Sequence, residues 1–239
     1  MKSMLAIAAV AALVGGQALA ADMPLKAAPM AAPSWSNCHV GGFAGFKHMD
    51  NTTLFFGPPV FTTPLQLTNG FDATGAYAGA TVGCDYQFYG SPIVIGVEGD
   101  IGWSNLHAHT LDIINPAFHF TLDQSSLATV RGRIGYLAGP GLLYVTGGGA
   151  WARLKNSEFV VGGEFESVEL TRSGWTVGGG YEALFAPNWS FKMEYLFVNL
   201  GTASFPFIAN GGITGTSHLI EVKEHVVKLG VNYRINWGR

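Results

Sequence analysis

The sequence predicts an all-β protein: an eight-stranded antiparallel up-and-down transmembrane β-barrel. Three observations carry that expectation. The first is the stretch Leu127 to Trp151. It alternates with period two, Val130, Ile134 and Tyr136 against Arg131 and Arg133, which is the signature of a strand. Arginines stand on the face that a soluble sandwich would fill with apolar residues, and a membrane barrel inverts that pattern. The second is composition. Only 12% of residues are charged, 13% are aromatic and 33 are glycine. The third is a regular succession of such strands, joined by connections that alternate long and short.

The N-terminus reads as a secretory signal peptide. Lys2 precedes an apolar run from Met4 to Val14, and Ala18-Leu19-Ala20 forms an A-x-A cleavage site. The expected organisation is a signal peptide over 1–20, a Pro- and Ala-rich periplasmic lead-in over 21–34, and the barrel over 35–239. Loss of Lys2 with the leader leaves 12 basic and 16 acidic residues, a formal charge of −4. That balance excludes a nucleic-acid partner, because such proteins are basic.

The first strand runs from about Trp35 to Lys47, with Cys38, Val40, Gly42, Ala44 and Phe46 on its lipid face. A long loop over 49–72 follows, with turn-formers Pro58-Pro59 and Asn69-Gly70. The second strand, about 74–88, sets Ala76, Ala78, Ala80, Val82, Cys84 and Tyr86 outward and Asp85 inward. After a short turn at 89–92, the third sets Ile93, Ile95, Val97, Ile101 and Trp103 against Glu98 and Asp100. A long loop is expected over 105–124. The fourth and fifth strands are the hairpin around Ala138-Gly139-Pro140-Gly141, and another long loop is expected over 155–170. The sixth sets Trp175, Val177 and Tyr181 against Glu182. The seventh, after a short turn at 186–188, sets Trp189, Phe191, Met193, Tyr195 and Phe197 against Lys192 and Glu194. A last long loop spans 201–222, and the eighth strand sets Val227, Leu229, Val231, Tyr233 and Ile235 against Lys228 and Arg234.

Each strand is read at about ten residues, the length a tilted strand needs to cross a bilayer. Aromatics gather at both ends of the lipid register. Phe46, Trp103, Trp151, Trp175 and Phe197 fall near the long loops, and Tyr86, Tyr136, Tyr181, Trp189 and Tyr233 near the short turns. Two such rings are the girdles of a membrane barrel, and a soluble eight-stranded barrel has no reason to build them. Outer-membrane barrels keep short turns and both termini in the periplasm, so that orientation is expected.

The stretches VIGVEGDIGW (94–103), TVRGRIGYL (129–137), YVTGGGAW (144–151), SGWTVGGGYE (173–182), NWSFKMEYLFVNLG (188–201) and HVVKLGVNYRI (225–235) resemble the small outer-membrane β-barrel proteins of alphaproteobacteria. That family is OmpA-like in architecture and is often labelled porin-family or outer-membrane immunogenic protein. The resemblance covers most of the mature chain. It implies a last-strand assembly signal at Gly230, Tyr233 and Ile235, read by the barrel-assembly machinery. Ile235 replaces the customary aromatic, and Trp237 is positioned to serve instead.

The charges expected on the lumen register are Asp85, Glu98, Asp100, Arg131, Arg133, Glu182, Lys192, Glu194, Lys228 and Arg234. They are read either as an ion path or as a mutually paired plug. The plug is preferred, because eight strands leave an interior that side chains fill and buried charges need partners. Cys38 and Cys84 fall on the lipid register of adjacent strands. Opposed residues there lie roughly 4.5–5.5 Å apart at Cα, within disulfide reach; two free apolar cysteines are the alternative. His107, His109 and His119 are read as polar loop residues, since no ligand set at familiar spacing surrounds them. Gly147–Gly149 and Gly178–Gly180 lack the Lys-Ser/Thr and helix of a phosphate loop. No nucleophile-elbow context is found, so no enzyme, cofactor or metal is expected.

The sequence therefore points to an integral protein of a Gram-negative outer membrane with a structural and surface-interaction role. Its expected partners are outer-membrane lipid, lipopolysaccharide, the assembly machinery and an unidentified partner of the external loops. The alternative is a small porin, or a barrel that takes up or binds a ligand such as haem.

Overall fold

A computed structural model describes residues 34–52, 54–56, 65–66, 71–111, 119–160, 163–209 and 212–235. The signal peptide, residues 21–33 of the lead-in, Pro58-Pro59, Asn69-Gly70 and Trp237 lie outside the described residues. The elements are β1 (Asn37–Thr52), β2 (Leu54–Phe56), β3 (Leu65–Gln66), β4 (Phe71–Gln87), β5 (Ile93–Leu111), β6 (His119–Ala138), β7 (Gly141–Val160), β8 (Gly163–Ala186), β9 (Trp189–Ala209) and β10 (Gly212–Ile235). Eight of them, β1 and β4 to β10, pair antiparallel with their sequence neighbours, and β1 pairs with β10 to close the wall. The short β2 and β3 fall within the expected 49–72 loop; β2 pairs with β10 beyond the end of β1.

Two expectations need correction. The wall strands are 16 to 24 residues long, not about ten. The stretches 105–124, 155–170 and 201–222 are largely strand rather than loop, because β5 runs on to Leu111, β6 starts at His119, and the β7–β8 and β9–β10 hairpins continue likewise. At about 3.3 Å per residue, a 20-residue strand is roughly 66 Å long. The apolar outer band, Ile93 to Trp103 on β5, covers only about 25 Å of height at the usual tilt. The wall therefore continues well past the band at the long-hairpin end.

The reason is a reversal of amphipathicity along each strand. On β5, Ile93, Ile95, Val97, Ile101 and Trp103 face outward, whereas Leu106 and Ala108 face inward and are buried. On β6 the irregularity between Gln124 and Ser126 shifts the phase, so Phe120 and Leu122 face inward together with Leu127 and Arg131. Within the band the outside is hydrocarbon. Beyond it the outside is water, so apolar residues turn in. Full pairing also stops there at two seams. β4 and β5 pair up to Tyr77–Ser104, and β8 and β9 up to Trp175–Asn199. Just past the second seam, Gly201 adopts φ 66°, a left-handed conformation that glycine takes without Cβ strain. Arg172 of β8 reaches across to donate to the Thr202 carbonyl of β9.

Candidate functional site

The interior is layered. Residues on the inward register of the band carry the charges, and cross-strand register fixes neighbours: Glu98 faces Arg131, Glu182 faces Lys192, and Glu194 faces Lys228. Side chains then reach across the barrel. Arg131 is 1% exposed. It donates through Nη2 to Glu98 at 2.6 Å and Asp100 at 2.5 Å, through Nη1 to Glu194 at 3.0 Å, and through Nε to Thr129. Arg133 is bidentate to Asp85 and also meets Glu182 at 3.0 Å and Glu98 at 3.3 Å. Lys192 donates to Glu98 at 2.7 Å. Lys228 donates to Asp100 at 2.5 Å and stands 2.8 Å from Glu194.

Five carboxylates thus enclose four cations among the described residues, and all nine are buried. Burying a charge is tolerable only when it is paired and hydrogen-bonded, and each of these has partners. The carboxylates Glu98, Asp100 and Glu194 come close enough to share a cation, their oxygens lying within 4.8 Å of one another. The Arg131 guanidinium donates to all three and so is the cation they share.

The tenth predicted lumen residue departs from this arrangement. Arg234 is inward and buried, but its guanidinium lies 4.6 Å from the centre of the Trp35 ring and donates to the Ser34 carbonyl. Its height near the short-turn end explains why. Around Trp35 an apolar cluster gathers Val94, Leu142 and Tyr144 beneath the charged layer. Above that layer a larger cluster includes Phe43, Tyr77, Leu106, Phe120, Leu122, Leu154, Leu196 and Val222. Phe43 lies between the two, 4.6 Å from the Lys228 ammonium and 5.0 Å from the Tyr77 ring.

Several interior residues were not singled out in the sequence. His39 places Nδ1 3.6 Å from Asp85 and Nε2 3.3 Å from Glu98. Tyr144 donates to Glu194 at 2.9 Å and supports Arg133 against its ring. Lys47 and Glu224 form a fully buried pair at 3.4 Å inside the upper apolar cluster. The signal was present for three of these four. His39 and Lys47 share the odd register of the first strand, and Glu224 continues the even register of Val226 and Lys228.

Cys38 and Cys84 are directly opposed in register, 3.9 Å apart at Cα, and joined as a disulfide. Of the assembly-signal residues, Tyr233 and Ile235 face outward, and Gly230 lies inward opposite Phe43. Ile235 stands opposite Cys38. The histidines expected on a loop lie instead on paired strand: His107, His109 and His119 are exposed on β5 and β6, and His107 bonds Asp123 at 2.8 Å.

A family model described as outer membrane protein beta-barrel domain matches residues 6–234. The chain is 31% identical to the 31 kDa outer-membrane immunogenic protein of Brucella melitensis, over 98% of this chain and 100% of that one. It is 28% identical to the 22 kDa outer membrane protein of Rhizobium leguminosarum bv. viciae, over 90% and 83% respectively. Among solved structures, the outer membrane protein OprG from Pseudomonas aeruginosa shares the fold, with a TM-score of 0.54 at 13% identity over 86% of this chain and 99% of that one.

Proposed function

The chain belongs to the outer-membrane protein β-barrel family, and from that premise we propose that it is a non-enzymatic envelope component whose interior offers no open ion path. Its work is structural, together with whatever its long hairpins contact outside the cell. One observation carries the closed interior: the paired charges are bounded by an apolar cluster on each side, with Trp35 below and Phe43 and Tyr77 above. An ion entering from either end meets packed apolar side chains before it reaches the central network, and each of the nine charges of that network already has a partner among the described residues. The short turns and both ends of the described chain lie at one end of the barrel, which supports placing them in the periplasm. In that orientation the polar extension of the wall projects outward. The apolar band contacts outer-membrane lipid and lipopolysaccharide, the last strand is read by the barrel-assembly machinery, and an unidentified partner meets the hairpin tips.

The test is electrical. Purified barrel in a planar bilayer is expected to give no steady single-channel current. Large, steady currents would refute the closed interior and promote the small-porin alternative.

A further inference from the structure

The lipid-facing wall is indented. Two apolar grooves, of about 760 and 690 Å³, meet at Val227 of β10. The first is floored by Gly179 of β8, between its register partners Val145 and Tyr195. The second is floored by Ala44, Ala76 and Ala78, with Phe46 and Trp103 beside them. Both volumes fall in the range of small-molecule sites. The Val227–Phe46 pair stands between the grooves as a ridge.

One step up the same outward register, at the edge of the band, His225 of β10 stands directly opposite His48 of β1. Each ring uses only Nδ1 among the described residues. His225 bonds the Tyr195 hydroxyl at 2.6 Å, and His48 bonds the Thr74 hydroxyl at 3.0 Å. Lys223 follows on β10, half-buried and, among the described residues, paired with Glu221 at 2.8 Å. The ridge between two apolar grooves is thus topped by three nitrogen groups able to donate to an anion.

We propose that this face binds one phosphorylated, multiply acylated lipid of the outer leaflet, with an acyl chain in each groove and the phosphate at His48, His225 and Lys223. This rests on the membrane placement proposed above. A forked lipid fits grooves on either side of a ridge, whereas a second convex barrel meets the ridge first and reaches neither floor. These donors select a phosphate headgroup: Lys223, which it would share with Glu221, supplies a charge-assisted hydrogen bond and the two rings supply further donors.

The test uses full-length mature protein folded in detergent and mixed with dipalmitoyl phosphatidic acid or dipalmitoylglycerol, read by native mass spectrometry. One phosphatidic acid per barrel is expected, with the uncharged lipid held about tenfold more weakly. Ala78→Leu and Val145→Trp fill one groove each from its exposed side and should each weaken retention about tenfold. The double variant His48→Ala, His225→Ala should bind the two lipids more nearly alike. Heat-modifiable migration verifies that every variant is folded. Equal binding of both lipids by the parent, unchanged retention in the groove variants, or a barrel dimer in place of the lipid adduct would each overturn the site. Currents through a barrel that still holds its lipid would break the closed-interior reading and leave this one standing.

Discussion

The lower and upper halves of this barrel bury opposite chemistries. Within the apolar band the interior holds Arg131, Arg133, Lys192 and Lys228 among five carboxylates. Beyond it, Leu106, Phe120, Leu122 and Leu154 fill the same tube. The same strands build both, so what differs is the solvent outside. Hydrocarbon is as apolar as leucine, so an apolar interior would gain little against it, and the lower half is held by directional pairing instead. The upper half stands in water and is held, like a soluble domain, by removing apolar surface from it.

Substitutions should separate the two modes. The largest effect is expected at Arg131. Its loss leaves Glu98, Asp100 and Glu194 without a shared cation, and breaking a buried network in this way costs about 3–5 kcal/mol. Arg131→Ala should lower the unfolding midpoint of the heat-modifiable band well below that of Lys155→Ala, a change on the exposed outer face. Glu98→Gln in the same chain should restore part of the loss. Equal midpoints for the two single variants would remove the network as a source of stability.

Next comes the upper core. Leu122→Ala opens a space in a fully buried cluster and should cost about 2–5 kcal/mol. Leu143→Ala removes the same atoms from the lipid face, where acyl chains refill the gap, and should shift the midpoint much less. If the two shifts match, the contrast between the halves is wrong.

The smallest effect sharpens the comparison. Lys47 and Glu224 are an ion pair placed in the apolar half. Replacing both with apolar residues of similar volume, Lys47→Met with Glu224→Leu, should be neutral to stabilising by about 1–4 kcal/mol, whereas Glu224→Leu alone should destabilise. A double variant weaker than either single one would show that the upper half also depends on charge.

How much of this the sequence discloses follows the same division. The band was legible because hydrocarbon demands outward apolar residues at every second position, and Ile93 to Trp103 or Trp189 to Tyr195 obey that rule. The strand extensions were not. On β5 the apolar phase switches from odd to even at Ser104 and Asn105, and on β6 the irregularity between Gln124 and Ser126 breaks the alternation, so the period-two signal is interrupted and leaves what looks like loop. Neighbours such as Glu98 and Arg131 could be read from register, since they face each other on adjacent strands. Contacts across the tube could not. Lys192 with Glu98 and Lys228 with Asp100 join strands that share no ladder, and alternation says nothing about which side chains meet in the middle. Arg234 shows the limit most clearly: the right face, but a partner in Trp35 that lies 199 positions earlier in the chain.

The Cys38–Cys84 bridge bears on the closure of the wall. It joins β1 to β4 across a separation of 46 residues, the stretch that holds the longest connection in the wall. In the chain-entropy picture, a staple of that span removes about 4 kcal/mol of disorder from the open chain. β1 has a second neighbour, β10, which closes the wall, and Cys38 stands between Cys84 and Ile235 in the register. The bridge therefore fixes the register of β1 one strand away from the seam at which β1 and β10 close the wall.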